Sequence, residues 1–422
     1  MKIHGLPKIV QSILVVLMSI SLCVGCASRY TLLQQIHLHD YEWSIFLYPW
    51  LGYSLFPGDT RGYVAFIRAD GSYDLVRHNG MERGLISWLD SGLYYADVSA
   101  DNWAEKKSSR TQRFKHPDIM DSIVSLEDGI TRVSVYNRGA TNNGYQETVM
   151  ISRPDFHEVQ DVHTVGFYPL VSACGNDVYG GYADFTAEGQ SVLIFDRLVD
   201  NGKIRYRNIS NNKIPFSEMN FYAQNSPCRD NKIYILTRYD NLDGKDFGYS
   251  GVLNDYLKHD ELGKVYVDAL TTIDVATGNL EQIPLTYPDE YESELDNIMY
   301  GPIYDSTSLD DQGNFLWLTY KGDILSTNIH TGVTSIFFSD KSLGRSHASD
   351  DVADYDKHFA STASTVTLFD NVVDNDTPHL SIVHITTLDR FSGKILRKAT
   401  VRGMDARMHR SMIIGNGQTR PQ

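Results

Sequence analysis

Short runs in which apolar and polar residues alternate follow one another along most of the chain after residue 26. Turn-forming pairs separate these runs, for example Asp70-Gly71, Asp128-Gly129 and Gln312-Gly313. Period-two alternation is typical of β-strands, and no segment keeps apolar residues at helical spacing for three turns. The pattern therefore predicts an all-β protein built as a sandwich, a barrel or a propeller. The clearest runs are 62–67, 132–136, 191–195, 232–236 and 315–318.

A hairpin signal recurs in the C-terminal third of the chain. It consists of an apolar strand, then Asp or Asn, two further residues, Thr or Ser, and Gly. The Asp or Asn side chain caps such a turn, and the glycine supplies a positive φ angle. The glycines of the three copies are 54 and 61 residues apart, a period that suits a four-stranded propeller blade with long loops. The copies are residues 274–278, 328–332 and 389–393.

These hairpins resemble those of the quinoprotein-dehydrogenase-like β-propellers, whose blades contain a similar Asp-x-x-Thr-Gly turn. The resemblance implies a propeller, although the motif itself covers only the C-terminal third. Residues 41–422 exceed the usual size of a single hydrophobic core, whereas a propeller grows by adding blades. At the observed period we expect one β-propeller domain of about seven four-stranded blades, with six or eight as alternatives.

Residues 1–25 are predicted to be a lipoprotein signal peptide. Lys2 and Lys8 accompany an apolar stretch at 9–22 that is short and interrupted by serine, unlike a membrane-spanning helix. Val24-Gly25-Cys26 then places small residues before a cysteine. This ending resembles the lipobox of bacterial lipoproteins, which implies that Cys26 bears acyl chains such as palmitate and becomes the mature N-terminus. An ordinary cleaved signal peptide and an uncleaved anchor are the alternatives.

The same segment predicts a lipid-anchored location in the cell envelope, with residues 26–40 as the lipidated N-terminus and linker. Resemblance to lipoproteins implies at least two acyl chains on Cys26, which is enough for stable anchoring. Ala27 is not the Asp that marks retention in the inner membrane. We therefore expect the outer membrane in a Gram-negative cell, and the outer face of the cytoplasmic membrane in a Gram-positive one.

The net negative charge of the chain excludes some classes of binding partner. Removal of residues 1–25 takes away two lysines and no acid, so the formal charge changes from −15 to −17. This excess repels nucleic acid and anionic lipid headgroups. We expect no nucleic-acid partner, and we expect the acyl chains rather than a basic patch to hold the protein on the membrane.

Cys174 and Cys228 remain after the signal peptide is removed. Each precedes a similar strand, and they lie 54 residues apart, which matches the blade period. In an oxidising compartment such an even pair predicts a disulfide, here between the innermost strands of neighbouring blades. Two buried free thiols are the alternative.

The sequence predicts no cofactor, and its metal signals are weak. Asp240, Asp243 and Asp246 have the spacing of a loose calcium loop, but the full oxygen ladder and the closing glutamate are missing. A solvated turn is the alternative at this position. The acidic runs at 289–296 and 350–356 are typical of solvated loops, with a cation site as the minority interpretation.

Two classes of function fit the sequence. The first is a non-catalytic binding or scaffold protein for a protein or glycan partner in the envelope. It is favoured because no nucleophile, metal cluster or phosphate loop is recognisable. Aromatic residues such as Tyr41, Trp43, Tyr94, Tyr95 and Trp103 would suit binding if exposed in loops, but packing in the core is the stronger interpretation for them. The second is an envelope enzyme, such as a hydrolase, lyase or dehydrogenase, with its site in the propeller funnel. Convergent charged groups in that funnel would favour the enzyme.

Overall fold

The alternating runs of the sequence form β-strands in the computed structural model. The structure describes residues 29–49, 62–81, 83–142, 144–164, 168–185, 191–210, 214–215, 226–241, 258–259, 265–288, 307–319, 322–339, 357–373, 380–405 and 408–415. The strands within these residues, in chain order, are β1 (Arg29–Tyr30), β2 (Trp43–Pro49), β3 (Gly62–Ile67), β4 (Tyr73–His78), β5 (Ile86–Leu89), β6 (Gly92–Asp97), β7 (Ala100–Ala104), β8 (Ser109–Arg113), β9 (Met120–Ser125), β10 (Arg132–Thr141), β11 (Gly144–Arg153), β12 (Phe156–Thr164), β13 (Leu170–Cys174), β14 (Asp177–Phe185), β15 (Ser191–Asp200), β16 (Lys203–Asn208), β17 (Ile214–Pro215), β18 (Cys228–Arg229), β19 (Lys232–Asn241), β20 (Lys258–His259), β21 (Val265–Asp274), β22 (Leu280–Pro284), β23 (Thr307–Leu309), β24 (Asn314–Leu318), β25 (Ile324–Asn328), β26 (Thr334–Phe338), β27 (Lys357–Ser361), β28 (Thr365–Val373), β29 (Leu380–Asp389), β30 (Ile395–Asp405) and β31 (Met408–Gly415).

The strands form seven sheets, each built on four antiparallel strands, which we call blades 1 to 7. The first strands of neighbouring blades contact one another around the axis, as β31 does with β5, β5 with β9, β9 with β13, β13 with β18, and β27 with β31. The fold prediction of about seven blades is therefore confirmed. Blade 1 contains β5–β8, blade 2 β9–β12, blade 3 β13–β16 with β17, blade 4 β18, β19, β21 and β22 with β20, blade 5 β23–β26, blade 6 β27–β30, and blade 7 β31 and β2–β4.

Both faces of each blade are buried, and strand alternation distributes the side chains between them. In β19, Ile233 and Ile235 pack in the apolar cluster between blades 3 and 4. Tyr234 and Leu236, the intervening residues, pack in the cluster between blades 4 and 5. Because successive side chains of a strand point to opposite faces, one run of apolar residues supplies two cores.

Blade 7 is assembled from both ends of the chain. The C-terminal strand β31 is its innermost strand and pairs antiparallel with β2, so that Ile413 lies opposite Ile45. The strands β2, β3 and β4 complete the sheet, and β1 adds to its outer edge in parallel with β4. Backbone hydrogen bonds between the two ends of the chain therefore close the ring of blades.

The repeated hairpins join the third and fourth strands of blades 4, 5 and 6. Their glycines have φ angles of 71°, 72° and 66°, as the turn requires. The glycine of blade 5 also approaches the preceding blade closely, because a Cβ on Gly332 would collide with the carbonyl oxygen of Pro284. In each hairpin the Oδ1 of the Asp or Asn accepts a hydrogen bond from the backbone N–H three residues later. The pairs are Asp274 with Thr277 (2.8 Å), Asn328 with Thr331 (3.1 Å) and Asp389 with Ser392 (2.8 Å).

The two ends of the blades differ in their connections. The short turns between first and second strands, and between third and fourth strands, lie at one end. The remaining connections leave the opposite end, as a four-stranded antiparallel order requires. Residues 50–61, 216–225, 242–257, 289–306 and 340–356 lie outside the described residues.

Helical structure in the described residues consists of two 3₁₀ turns, Leu33–Gln35 and Leu38–Asp40. None of the described helices is long and apolar enough to cross a membrane. We call residues 29–40, which contain β1 and both turns, the N-terminal arm.

Candidate functional site

A cleft of about 560 Å³ opens at the outer rim of the joint between blades 7 and 1. We call it the rim cleft. Pockets of this size receive small molecules or parts of larger ones. It is formed by the N-terminal arm, the end of β4 and the strands β6–β8. The lining residues that matter for its chemistry are Leu32, Arg77, Asn79, Ser99, Asn102 and Arg113.

The N-terminal arm forms one wall of the rim cleft and is fixed by apolar burial. Leu33, Ile36 and Leu38 are only 5%, 3% and 2% exposed, respectively. They pack in a cluster that contains Val76 of blade 7 and Tyr95 of blade 1. Because each buried side chain of this size contributes about 2 kcal/mol, the arm is bound firmly to both blades.

Asp97 organises the polar floor of the rim cleft. Its side chain is 5% exposed. It accepts hydrogen bonds from the backbone N–H and the hydroxyl of Ser99, both at 2.8 Å, and from the backbone N–H of Asn79 at 3.3 Å. The side-chain amide of Asn102 donates a fourth bond at 3.4 Å. The carboxylate is fully used by the fold, and it holds the hydroxyl and amide groups in place.

Two arginines of the rim cleft have no partner among the described residues. Arg77, at the end of β4, and Arg113, at the end of β8, are exposed and form no hydrogen bond, ion pair or ring contact there. Several other described arginines, in contrast, form ion pairs with carboxylates, which the excess of acidic residues in this chain favours. Examples are Arg68 with Asp74, Arg83 with Asp121, Arg110 with Glu105, Arg197 with Asp200 and Arg397 with Glu42.

His78 lies beneath the rim cleft and is a structural group. Its ring packs against Phe46 with centroids 4.4 Å apart, and its Nε2 lies 3.2 Å from the carbonyl oxygen of Leu47. Burial lowers the pKa of His78 to about 4. The imidazole is therefore neutral at physiological pH, and the arginines dominate the electrostatics of the cleft.

The chemistry of the rim cleft is that of a receptor for an anionic, hydroxyl-rich group. Guanidinium groups bind phosphate and carboxylate through paired hydrogen bonds. Amide and hydroxyl side chains on the floor match the donors and acceptors of a sugar or a peptide. The arrangement suits recognition of a ligand, with Arg77 and Arg113 as its charged contacts.

A second group of titratable residues lies at the inner part of blade 2. Asp121 is on the innermost strand β9, with its Oδ1 3.2 Å from Nη1 of Arg83. Burial and the nearby charge of Asp121 raise the pKa of Glu147 to about 9, and burial also raises that of Asp121. A neutral carboxylic acid of this kind is what a general acid requires. Glu147, however, is fully buried, and its Oε1 accepts a bond from the backbone N–H of Tyr168 at 3.2 Å.

A third group joins blades 1 and 2 in the protein interior. The carboxylate of Asp101 accepts a hydrogen bond from the hydroxyl of Tyr94 at 2.5 Å and contacts the ring of His157. Nε2 of His116 lies 3.2 Å from the same carboxylate, and Nδ1 of His116 lies 2.9 Å from the hydroxyl of Tyr136. The side chains of Asp101 and His116 are fully buried. These bonds lower the pKa of Asp101 despite its burial, so the group is a buried charge network that holds two blades together.

The predicted disulfide between Cys174 and Cys228 is confirmed. It joins the innermost strands β13 and β18 of blades 3 and 4, with Cα atoms 5.3 Å apart. Ser172 strengthens the same junction by donating a hydrogen bond to the carbonyl oxygen of Ser226 at 2.6 Å.

The other predicted sites fall largely outside the described residues. Cys26 and the signal peptide lie there, as do Asp243 and Asp246 of the calcium hypothesis. Asp240 is described only as part of β19, where its backbone pairs with Tyr266. Within the residues the structure describes, no three His, Cys, Asp or Glu side chains are grouped to hold a metal ion.

The aromatic residues predicted for core or binding roles belong to the core where they are described. Tyr94, Tyr95 and Trp103 are buried in blade 1. Tyr41 is buried in the apolar cluster between blades 7 and 1, and Trp43 is buried at the start of β2 in blade 7. Sequence reasoning did not identify the rim cleft or its arginines. Arg77 and Arg113 stand at ordinary outward positions of alternating strands, so no local signal distinguishes them.

No family model matches the chain, and no curated protein sequence matches it. Among solved structures, a hypothetical selenium-binding protein from Sulfolobus tokodaii is 9% identical, with a TM-score of 0.52, over 93% of this chain and 97% of that one. BamB from Moraxella catarrhalis is 14% identical, with a TM-score of 0.37, over 76% and 88%. The β-propeller domain of the trilobed protease from Pyrococcus furiosus is 10% identical, with a TM-score of 0.40, over 88% and 98%.

Identities this low concern the fold alone, and the likeness to the Sulfolobus protein agrees with the strand order described above. Neither the lipoprotein signal nor the quinoprotein-dehydrogenase-like group is reached by these comparisons, so both stay predictions. What the strand order establishes is that the chain is an all-β, seven-bladed β-propeller.

Proposed function

We propose that the protein is a lipid-anchored, non-catalytic protein of the bacterial cell envelope that binds, or serves as a scaffold for, a protein or glycan partner. The rim cleft is its recognition site. The observation that carries this proposal is the pair of arginines, Arg77 and Arg113, that an acidic chain leaves without a partner among the described residues. Two guanidinium groups without such a partner at one cleft attract an anionic ligand and can donate charge-assisted hydrogen bonds to it.

Acylation of Cys26 is the anchoring part of the proposal, supported by Lys2, Lys8, the apolar stretch and Val24-Gly25-Cys26. Mass spectrometry of the protein isolated from its native envelope is expected to identify an acylated peptide beginning Cys26-Ala27-Ser28. Cys26→Ser is expected to abolish incorporation of labelled palmitate. A soluble, secreted protein cleaved at another position would contradict the anchor.

The recognition part is tested by photo-crosslinking in solubilised envelopes, with the crosslinker placed beside the rim cleft. Arg77→Gln combined with Arg113→Gln is expected to remove the crosslinked species. Arg207→Gln combined with Arg402→Gln is the matched control, because both residues are exposed and unpaired in the described structure but lie on the outer strands of blades 3 and 6. Equal crosslinking by both double variants would show that the rim cleft is not the recognition site.

An enzyme with Glu147 as general acid is the second candidate, motivated by its pKa of about 9. It requires a substrate to reach a side chain that is fully buried in this structure. The crosslinking experiment separates the two candidates, because Glu147→Gln is expected to leave crosslinking at the rim cleft unchanged.

A further inference from the structure

The N-terminal arm fixes where the proposed lipid anchor attaches relative to the rim cleft. At the start of β1 the backbone of Arg29 lies beside that of Asp74 in β4, and Thr31, two residues later, lines the cleft. A chain spans at most about 3.6 Å per residue, so Cys26 lies within about 11 Å of Arg29 and about 18 Å of Thr31. An acylated Cys26 therefore holds the rim cleft at the membrane surface.

The surface beside the cleft has the composition of a membrane-interface contact. Tyr30 and Leu32 are 69% and 66% exposed, the highest exposed fractions among the large apolar residues of the described structure. Tyrosine suits the headgroup level of a bilayer, and leucine suits the acyl boundary below it. Arg77 and Arg113 lie at the same cleft as Leu32, so charged and apolar contacts face one surface.

The overall negative charge of the protein does not prevent this contact. At physiological ionic strength, exposed charges separated by more than about 8 Å are largely screened. Of the carboxylates in the described residues, Asp97 is the one that lines the rim cleft, and its oxygens are occupied by four hydrogen bonds. Two arginines against one such carboxylate leave the cleft locally cationic.

We propose that the rim cleft binds the phosphorylated sugar headgroup of a glycolipid in the same membrane that holds Cys26. This inference rests on the proposed function and names the ligand class of its site. Arg77 and Arg113 hold the phosphate, and the exposed amide of Asn79 and hydroxyl of Ser99 bind sugar hydroxyls. Asn102 is buried, and its amide is bonded to Asp97 and Thr111, so it supports the floor from below. Leu32 and Tyr30 lie against the upper acyl region. A simple phospholipid supplies the phosphate but makes no use of the exposed amide and hydroxyl of Asn79 and Ser99.

Vesicle sedimentation tests the proposal with the unacylated chain beginning at residue 27, which contains all seven blades, so that binding reports the cleft rather than the anchor. The probe is phosphatidylcholine vesicles doped with monophosphoryl lipid A, whose headgroup is a phosphorylated disaccharide. Vesicles doped with phosphatidylglycerol provide phosphate without sugar. Soluble glucosamine 1-phosphate, added as a competitor, provides the same chemistry without a membrane.

We expect binding to the glycolipid vesicles at least tenfold tighter than to the phosphatidylglycerol vesicles. Arg77→Gln and Arg113→Gln are each expected to weaken it about tenfold, since a charge-assisted hydrogen bond contributes about that factor. Arg207→Gln combined with Arg402→Gln is expected to bind like the wild type, with thermal unfolding confirming that every variant is folded.

Three results would overturn the inference. They are the absence of binding to the glycolipid vesicles, equal loss in the cleft and control variants, and binding of the free sugar phosphate as tight as that of the vesicles. None of these affects the acylation of Cys26 or the crosslinking of another anionic partner, so the proposed function is judged separately. Loss of the acylated peptide in mass spectrometry would instead remove the anchor on which the inference depends.

Discussion

Between blades 3 and 4, a disulfide joins the innermost strands, and an apolar cluster that includes Leu170, Phe195 and Ile233 fills the space between the sheets. Between blades 7 and 1, the joint is filled by the N-terminal arm, and the rim cleft stays open at its outer edge. The first joint is covalent, and the second depends on the packing of the arm against blades 7 and 1. We call them the disulfide joint and the closure joint.

The two joints also differ in how their cations are used. Around the disulfide joint, Arg197 pairs with Asp200, and Arg229 donates to the carbonyl oxygen of Asp310 at 2.7 Å. At the closure joint, Arg77 and Arg113 have no partner among the described residues. A guanidinium whose hydrogen bonds are used by the fold has little left for a ligand. The arginines near the disulfide joint therefore serve the fold, whereas those at the closure joint keep their hydrogen-bonding capacity for the proposed ligand.

The largest expected effect is at the disulfide joint. Cys174→Ser combined with Cys228→Ser is expected to lower the free energy of unfolding by about 4 kcal/mol, because the crosslink closes a long loop in the unfolded chain. Urea denaturation of the unacylated chain measures this. Reduced wild type should show the same loss. An unchanged midpoint would mean that the closure joint, and not the disulfide joint, limits stability.

Leu38→Ala tests the closure joint. The side chain is 2% exposed within the apolar cluster of the arm, so its truncation is expected to cost about 3 kcal/mol. Leu32→Ala is the matched control, since Leu32 is 66% exposed and its removal should change the free energy of unfolding by less than about 0.5 kcal/mol. Equal changes in the free energy of unfolding for the two variants would show that burial of the arm does not stabilise the closure joint.

The pH dependence of stability is expected to come partly from His78 in the closure joint. Burial lowers its folded-state pKa to about 4, against about 6.5 in the unfolded chain. Below pH 6.5 the unfolded state takes up a proton that the folded state does not, so stability falls as the pH falls. Between pH 7.5 and 5 this amounts to about 2 kcal/mol.

His78→Gln is expected to lose this part of the pH dependence, measured by urea denaturation at the two pH values. His39→Gln is the control, because its side chain is 70% exposed. Identical pH dependence in wild type and His78→Gln would contradict a neutral, buried His78.

The smallest expected effect sharpens the comparison most. Arg77→Gln and Arg113→Gln are expected to change the free energy of unfolding by less than about 0.5 kcal/mol, because neither side chain forms a bond in the described structure. Arg390→Gln is the contrasting variant, since Arg390 is 6% exposed and donates to the carbonyl oxygen of Leu309 at 2.7 Å. We expect it to cost about 2 kcal/mol in the same denaturation experiment.

The elements of the fold could be predicted because their signals are local. Alternation in 232–236 predicts a strand whether its neighbours are known or not, and Asp274 caps its own turn three residues away. The blade number and the Cys174–Cys228 pair followed from a period, since equivalent residues of successive repeats occupy equivalent places. The i, i+2 spacing of His37 and His39, in contrast, predicts that both lie on one face of a strand. This prediction is wrong, since His39 lies in the 3₁₀ turn Leu38–Asp40 and His37 immediately precedes it, where the arm packs at the closure joint.

The candidate site could not be predicted, because its properties are not local. Arg68 and Arg77 both follow apolar runs, yet Asp74 neutralises the first and no described carboxylate reaches the second. Which arginine finds a partner depends on how the strands pack, since the β3–β4 hairpin brings Asp74 to Arg68, whereas Arg77 lies at the cleft formed with the arm and blade 1. The same holds for Glu147, whose raised pKa depends on Asp121 of another strand.

The sequence by itself determined the strands, the capped hairpins, the repeat and the pairing of its cysteines, because each depends on neighbouring residues or on a regular interval. Only the folded structure shows that the arm packs between blades 7 and 1, and that Arg77 and Arg113 lie at this joint without a partner among the described residues. The residues of the rim cleft all lie between positions 31 and 113, but they come from the arm and from two different blades. Alternation along a strand carries no information about which charges face one another once these elements pack.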